Sequence, residues 1–208
     1  MRRGTAGWRI VELGLLAWLG SAATALAGTF AIQPGDPNLV QFESHAPLET
    51  FSGKTRQVRG QVTLEPAHLA DSISVHVEVD LASLDTGIGI RNDHMREEHL
   101  ETDKYPKAVF TGGKVLDPSQ RSLAPDHKVT FQIAGELDLH GVRRPLQADL
   151  EIDYSTPGGR PQLHVVGRFQ VKLSDFEIRR PRFLMLRLDE VQRLTVDVVA
   201  RADQAPAP

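Results

Sequence analysis

The chain has 208 residues, 40% of them apolar, with 24 lysines and arginines against 27 aspartates and glutamates and no cysteine. A formal net charge of −3 argues against nucleic acid as a partner, because phosphate binding needs a basic surface. Without cysteine there are no disulfide staples, no acylated lipoprotein anchor and no thiol nucleophile, so burial alone must hold the core.

At the N-terminus, Arg2, Arg3 and Arg9 precede an apolar run from Leu13 to Leu19, and Ala25-Leu26-Ala27 supplies the small residues that a signal peptidase reads. Residues 1–27 are therefore expected to be a signal peptide for export to the periplasm, cleaved after Ala27. The apolar run is shorter than the ~20 residues that span a bilayer and contains Glu12, which argues against a membrane anchor. Loss of Arg2, Arg3, Arg9 and Glu12 with this segment takes the 24 basic and 27 acidic residues to 21 and 26, a mature net charge of −5. A remainder of about 180 residues makes one domain that buries roughly 70% of its unfolded surface.

From Phe30 onward, short segments of alternating apolar and polar residues recur with turn residues between them, the pattern of an all-β antiparallel fold. Leu39 to Ser44 reads as a strand. Val58, Val62 and Leu64 share one face of the next, Gly60 permits a bend in it, and Pro66 ends it. Ile73, Val75, Val77, Val79 and Leu81 then alternate with Ser74, His76, Glu78 and Asp80, up to a stop at Asp85-Thr86-Gly87. Asn92 and Asp93 are expected to accept hydrogen bonds at the start of a short helix, with Glu97 and Glu98 favouring its positive end. That helix ends before Tyr105-Pro106, because proline pushes the preceding residue out of helical geometry, and Ala108, Val109 and Phe110 resume a strand. Residues 116–127 read as a polar loop.

The longest alternation is Val129, Phe131, Ile133, Gly135, Leu137 and Leu139, and it turns at His140-Gly141-Val142-Arg143-Arg144. Leu146, Ala148, Leu150, Ile152 and Tyr154 oppose it, Pro157-Gly158-Gly159 turns the chain again, and Leu163, Val165, Gly167, Phe169, Val171 and Leu173 follow. Leu194, Val196, Val198 and Ala200 close the set, which bounds the domain at residues 28–200 and leaves 201–208 as a disordered tail. Strands with one apolar face pack on a second sheet or line a barrel, and periodicity leaves both open. The small residues Gly60, Ala134, Gly135, Ala148 and Gly167 are read as sites of strand bending more than as room in the interior.

Catalytic patterns are weak. Asp93, His94, Glu97, Glu98 and His99 gather potential metal ligands, but histidines five apart lie on different faces of an ideal α-helix, and a capped, solvated helix accounts for them. His68, His127 and His164 fall at turns or solvent-facing positions, and His76 and His140 sit on the polar side of their strands, as surface or rim histidines do. No nucleophile elbow or glycine-rich phosphate loop occurs. No enzymatic activity, catalytic residue, metal site or resident cofactor is expected.

Two blocks carry a family resemblance. The first is Ser83-Leu84-Asp85-Thr86-Gly87, Arg91, Asp93-His94-Met95 and Lys104-Tyr105-Pro106, closed by Phe110; the second is Gly135-Glu136-Leu137-Asp138-Leu139-His140-Gly141-Val142 followed by Pro145. Over about residues 30–200 the chain resembles the YceI-like family of extracytoplasmic polyisoprenoid-binding proteins. It departs from that pattern at Asn92, at the inverted Ser44-His45, at Lys54 after Gly53 and at Glu177 after Asp175-Phe176. The resemblance implies an elongated, lipocalin-like antiparallel β-barrel with a short helical loop between two strands. It also implies a lumen that holds the tail of an isoprenoid lipid, either a polyisoprenoid or a polyprenyl quinone, without catalysis.

On that reading Phe42, Val75, Val77, Phe110, Phe131, Ile133, Leu150 and Phe169 are the candidate ligand-binding wall, with Met95 near the mouth. The basic, apolar stretch from Arg179 to Arg187 is expected at the rim, its arginines toward a lipid head group or a membrane surface and Phe183, Leu184 and Met185 toward the mouth. Transient contact with a membrane surface fits this placement, and monomer and homodimer both stay open. The alternative is a filled, ligand-free barrel that serves as a periplasmic interaction or stress-response protein through residues 86–104 and 179–187. A metal-dependent enzyme built on His94 and His99 is the weaker third reading.

Overall fold

The computed structural model describes residues 27–46, 49–69, 73–125, 127–180, 182–183 and 186–202. Strands run over β1 (Gly28–Ile32), β2 (Leu39–Ala46), β3 (Glu49–Thr55), β4 (Val58–Leu64), β5 (Ser74–Asp80) and β6 (Lys107–Leu116), with α1 (Gly89–His94) between β5 and β6. They continue through β7 (Lys128–Leu139), β8 (Val142–Ser155), β9 (Gln162–Lys172), β10 (Arg182–Phe183), β11 (Leu186–Arg187) and β12 (Val191–Ala202). The signal segment before Ala27, the Leu184 and Met185 positions and the tail after Ala202 lie outside the described residues, as does the side chain of Phe183.

β1, β4, β5, β6, β7, β8, β9 and β12 pair antiparallel in that order, and β12 returns to β1, which closes an eight-stranded barrel. Closure distinguishes this from the sandwich that periodicity left open. Leu39–Ser44 is part of a longer strand that reaches Ala46, and the last strand runs to Ala202.

β12 is shared between two partners. Arg193 to Asp197 face β2, whereas Ala200 to Ala202 face β1. At the switch, the buried Asn38 side chain accepts the Val199 N–H at 2.7 Å and donates to the Gln33 carbonyl at 2.6 Å. One amide thereby satisfies the backbone groups that the change of partner would otherwise leave unpaired. β3 follows β2 as a hairpin that extends the sheet past β12, and the chain after β5 joins its far side where Asp85 bridges Lys54.

The inward alternation is continuous around the barrel. Phe110 sits opposite Val77 and Leu137, Leu150 opposite Phe131 and Gly167, and Leu194 opposite Phe42 and Phe169. At one end the core is solid, with Leu64, Leu69, Val129 and Leu163 fully buried. The segment expected to be a polar loop helps to seal this end. Leu123 is buried in the core, with its N–H on the Pro66 carbonyl at 2.7 Å and the Leu69 N–H on the Arg121 carbonyl at 3.0 Å. Leu123 stands between Ser122 and Ala124-Pro125 in a stretch without alternation, so its inward turn was not legible in the sequence. Among the described residues no helix is long and apolar enough to cross a membrane.

Candidate functional site

The strands place every residue of the candidate wall on the inner face. Phe131 and Ile133 are buried in the solid half, while Phe42, Val75, Val77, Phe110, Leu150 and Phe169 are only half-buried although they point inward. An inward side chain of a closed barrel keeps accessible surface only where the chain's own atoms do not fill the interior. Wall glycines contribute to that space. The Phe42 ring lies where a side chain on Gly53 would be, and the Phe110 ring lies across Gly112 and Gly135, each of which would place a Cβ 2.7 Å from Phe110 Cζ. Large rings therefore lie along the wall instead of projecting across the barrel. Gly135 thus makes room as well as a bend, and Gly60 is where β5 approaches, its Cβ position 2.9 Å from Val77 Cα.

The other end of the barrel is covered by a lid. α1 passes into a π-helical turn, Met95 to His99, with the Leu100 N–H on the Met95 carbonyl at 2.8 Å. Met95 and Leu100 pack down against the apolar cluster that includes Phe42, Phe169 and Leu194, which places Met95 at the mouth as expected. Capping is not as expected. The helix begins at Gly89 after Ile88, and Asn92 is a buried residue inside it. Its Oδ1 accepts the Thr86 N–H at 2.8 Å and the Thr86 hydroxyl at 2.7 Å, and its Nδ2 donates to Asp85 Oδ1 at 2.8 Å. That last bond, with the Gly87 N–H, holds the Asp85 carboxyl below its usual pKa. Asn92 thus ties the strand exit to the lid instead of capping its first turn.

Arg91 joins the lid to the barrel. Its guanidinium carbon lies 4.3 Å from the centre of the Phe51 ring, and it donates to the Thr86 hydroxyl at 3.0 Å and the Thr86 carbonyl at 2.9 Å. Phe51 stands edge-on to Phe42 at 6.1 Å. The π winding also changes the relation of His94 to His99, since five residues take it little more than one full turn. Burial lowers the pKa of His99, opposed by the charge of Glu98 and the Arg179 carbonyl, with His94 adding to the lowering.

His140 is a rim histidine, as one of the two expectations had it, but a buried one. It is buried at the β7–β8 turn with φ 55°, donates from Nδ1 to the Phe176 carbonyl at 3.1 Å, and has Nε2 2.9 Å from Glu101 Oε2. Its ring centre lies 4.6 Å from that of Tyr105. Three segments around the mouth are fastened there. Alternation assigned the side chain to the polar face of a strand; the left-handed turn re-aimed it.

Phe51, Val196 and Leu194 also belong to the inner wall. Phe51, Gly53 and Thr55 do alternate, but one aromatic among small polar residues is a weak period-two signal. The described apolar side chains that stay most exposed, Ile88, Ile90 and Val191, lie at this same end.

The barrel is thus closed and antiparallel, solid at one end and covered at the other by a short helical lid, with part of its inner wall only half-buried. The chain belongs to the YceI-like family, whose domain model matches residues 30–200. It is similar to a UPF0312 protein of Vibrio campbellii, 30% identical over 138 residues that cover 65% of this chain and 68% of that one. It is also similar to a UPF0312 protein of Photorhabdus laumondii, 29% identical over 164 residues that cover 76% and 80%. Among solved structures, a polyisoprenoid binding domain from Saccharophagus degradans superposes with a TM-score of 0.65 at 16% identity, covering 85% of this chain and 99% of that one. BcnA of Burkholderia cenocepacia superposes with a TM-score of 0.61 at 19% identity, covering 78% and 95%.

Proposed function

We propose that this protein is an exported, non-catalytic carrier or buffer for an isoprenoid lipid, whose tail lies in the barrel and whose head faces the lid. The half-buried inner wall of Phe42, Val77, Phe110, Leu150 and Phe169 carries the reading. A prenyl chain that buries ~400 Å² there gains roughly 10 kcal/mol gross at ~25 cal/mol per Å², before the cost of association. No directional contact along the tail is needed, which suits a wall made chiefly of apolar side chains. The similarity to a protein described as polyisoprenoid-binding supports the ligand class. Arg2, Arg3 and the apolar run that follows, with the Ala25-Leu26-Ala27 site, support a periplasmic location.

A carrier has to meet the bilayer from which its ligand comes. Ile88 and Ile90, 47% and 68% exposed beside the lid, suit shallow insertion between head groups.

The test is lipid extraction and native mass spectrometry of the protein purified from its own periplasm. A co-purifying prenyl lipid at stoichiometric level is expected. Protein that carries no lipid and takes up none from prenyl-lipid vesicles sinks the proposal.

A further inference from the structure

Among the described residues, three buried side-chain polar atoms lack a hydrogen-bond partner: Ser44 Oγ, Arg96 Nε and His99 Nδ1. All three belong to the lidded end of the barrel. Ser44 is fully buried in β2, on the same face as Phe42 and opposite Phe51. Arg96 and His99 stand in the π turn of the lid, a helical irregularity that recurs at functional sites. An unpaired buried donor or acceptor costs more than an ordinary hydrogen bond contributes, so native proteins keep few of them. Their gathering at the lidded end asks for a polar guest.

The three groups define its chemistry. Arg96 has one guanidinium nitrogen on the Leu84 carbonyl at 3.0 Å, and its Nε–H still needs an oxygen acceptor. Burial lowers the pKa of His99 and so favours the neutral ring, which carries one N–H and one lone pair, and its buried Nδ1 has no partner. A serine hydroxyl serves as either. A guest that both accepts and donates, without charge, matches this set. Glu97 and Glu98 of the same turn are exposed, Arg179 lies close enough for its charge to act on His99, and Arg96 is the one permanently charged group of the three.

We infer that Ser44, Arg96 and His99 form a polar subsite for the hydroxyl of an uncharged lipid head, a prenyl alcohol or a quinol. The subsite rests on the carrier reading and refines it. Because the atoms are closed to solvent, the head reaches them by displacing the lid, and the lid then settles on the hydroxyl.

Calorimetric titration of the mature protein with geranylgeraniol, and with the same chain lacking its hydroxyl, separates the possibilities. Wild type is expected to bind the alcohol about tenfold more tightly, the worth of one well-made buried hydrogen bond. Ser44→Ala and His99→Phe are expected to bind both probes alike, at the level of the hydrocarbon. The melting temperature of each ligand-free variant is expected to stay or rise, because an orphaned polar group has been removed. Equal affinity of wild type for the two probes overturns the subsite while the carrier stands. Variants that keep the tenfold preference overturn it as well, as does Ser44→Ala losing both probes equally with a lowered melting temperature. Binding of neither probe by wild type removes the carrier reading and the subsite together.

Discussion

The ring of Phe110 lies across Gly135 of the neighbouring strand, so close that a Cβ on Gly135 would meet it at 2.7 Å and the Thr111 carbonyl oxygen at 2.5 Å. Such contacts cannot be relieved by rotation of a side chain alone, because one of the two atoms is backbone. Gly135→Ala is expected to cost about 1–3 kcal/mol, the usual range for overpacking a close-packed site, measured by urea denaturation. The displaced ring is also expected to enter the lumen and weaken binding of a prenyl probe. Unchanged stability and affinity in this variant contradict the packing described.

Val77 faces the interior opposite Phe110 and is half-buried. Val77→Phe fills space that the wall leaves open, so a melting temperature close to wild type is expected together with at least tenfold weaker prenyl-lipid binding by titration. A large loss of stability instead means that the interior at Val77 is already full.

Outside the barrel, Glu78 bonds Lys107 at 2.8 Å, and with His76 and Arg59 adding, its carboxyl is held at about 2 instead of the ordinary 4.5. A carboxyl with a depressed folded pKa contributes stability above its unfolded pKa and loses it as pH falls toward the folded one. The melting-temperature advantage of wild type over Glu78→Gln is therefore expected to be full above pH 4.5 and to shrink as pH falls to 2. Lipid binding should not change, since Glu78 lies on the outer face. An advantage that is constant across this range speaks against the ion network as its source.

His140 fastens the lid surroundings through the Phe176 carbonyl and Glu101. His140→Ala leaves a buried carbonyl unpaired and removes the ring from Tyr105, for an expected loss of about 2–3 kcal/mol in denaturant unfolding. Hydrogen exchange should quicken around residues 101–105 and 173–177 more than in β12. Uniform acceleration throughout the barrel would show that His140 has no local role at the mouth.

Asn38 holds both backbone groups at the change of partner along β12. Asn38→Ala is expected to cost about 2–3 kcal/mol and to expose the Val199 amide to rapid exchange. Slow exchange of that amide in the variant means that another group replaces Asn38.

Alternation of apolar and polar residues is a local property, and it settled the all-β class, most strand positions and which side chains share the inner face, including Phe42, Val77, Phe110 and Leu150. Cross-strand register then kept those residues on one surface, because a slip of one would turn every side chain outward. Closure was not legible in the alternation, since a strand's period is the same in a sandwich and a barrel, and it was the family resemblance that implied a barrel; in the fold it is made by β12 pairing with β1 after β2, with Asn38 at the switch. The same limit explains Leu123, His140 and Asn92. Each was assigned by its neighbours in the chain, but its partners lie on other elements: Pro66 for Leu123, Phe176 and Glu101 for His140, and the Asp85-Thr86 strand exit for Asn92. The π winding of the lid also depended on tertiary contact, because Met95 and Leu100 must both reach the interior. Short-range periodicity reports which face of a strand is apolar; what that face encloses depends on long-range pairing that no local pattern encodes.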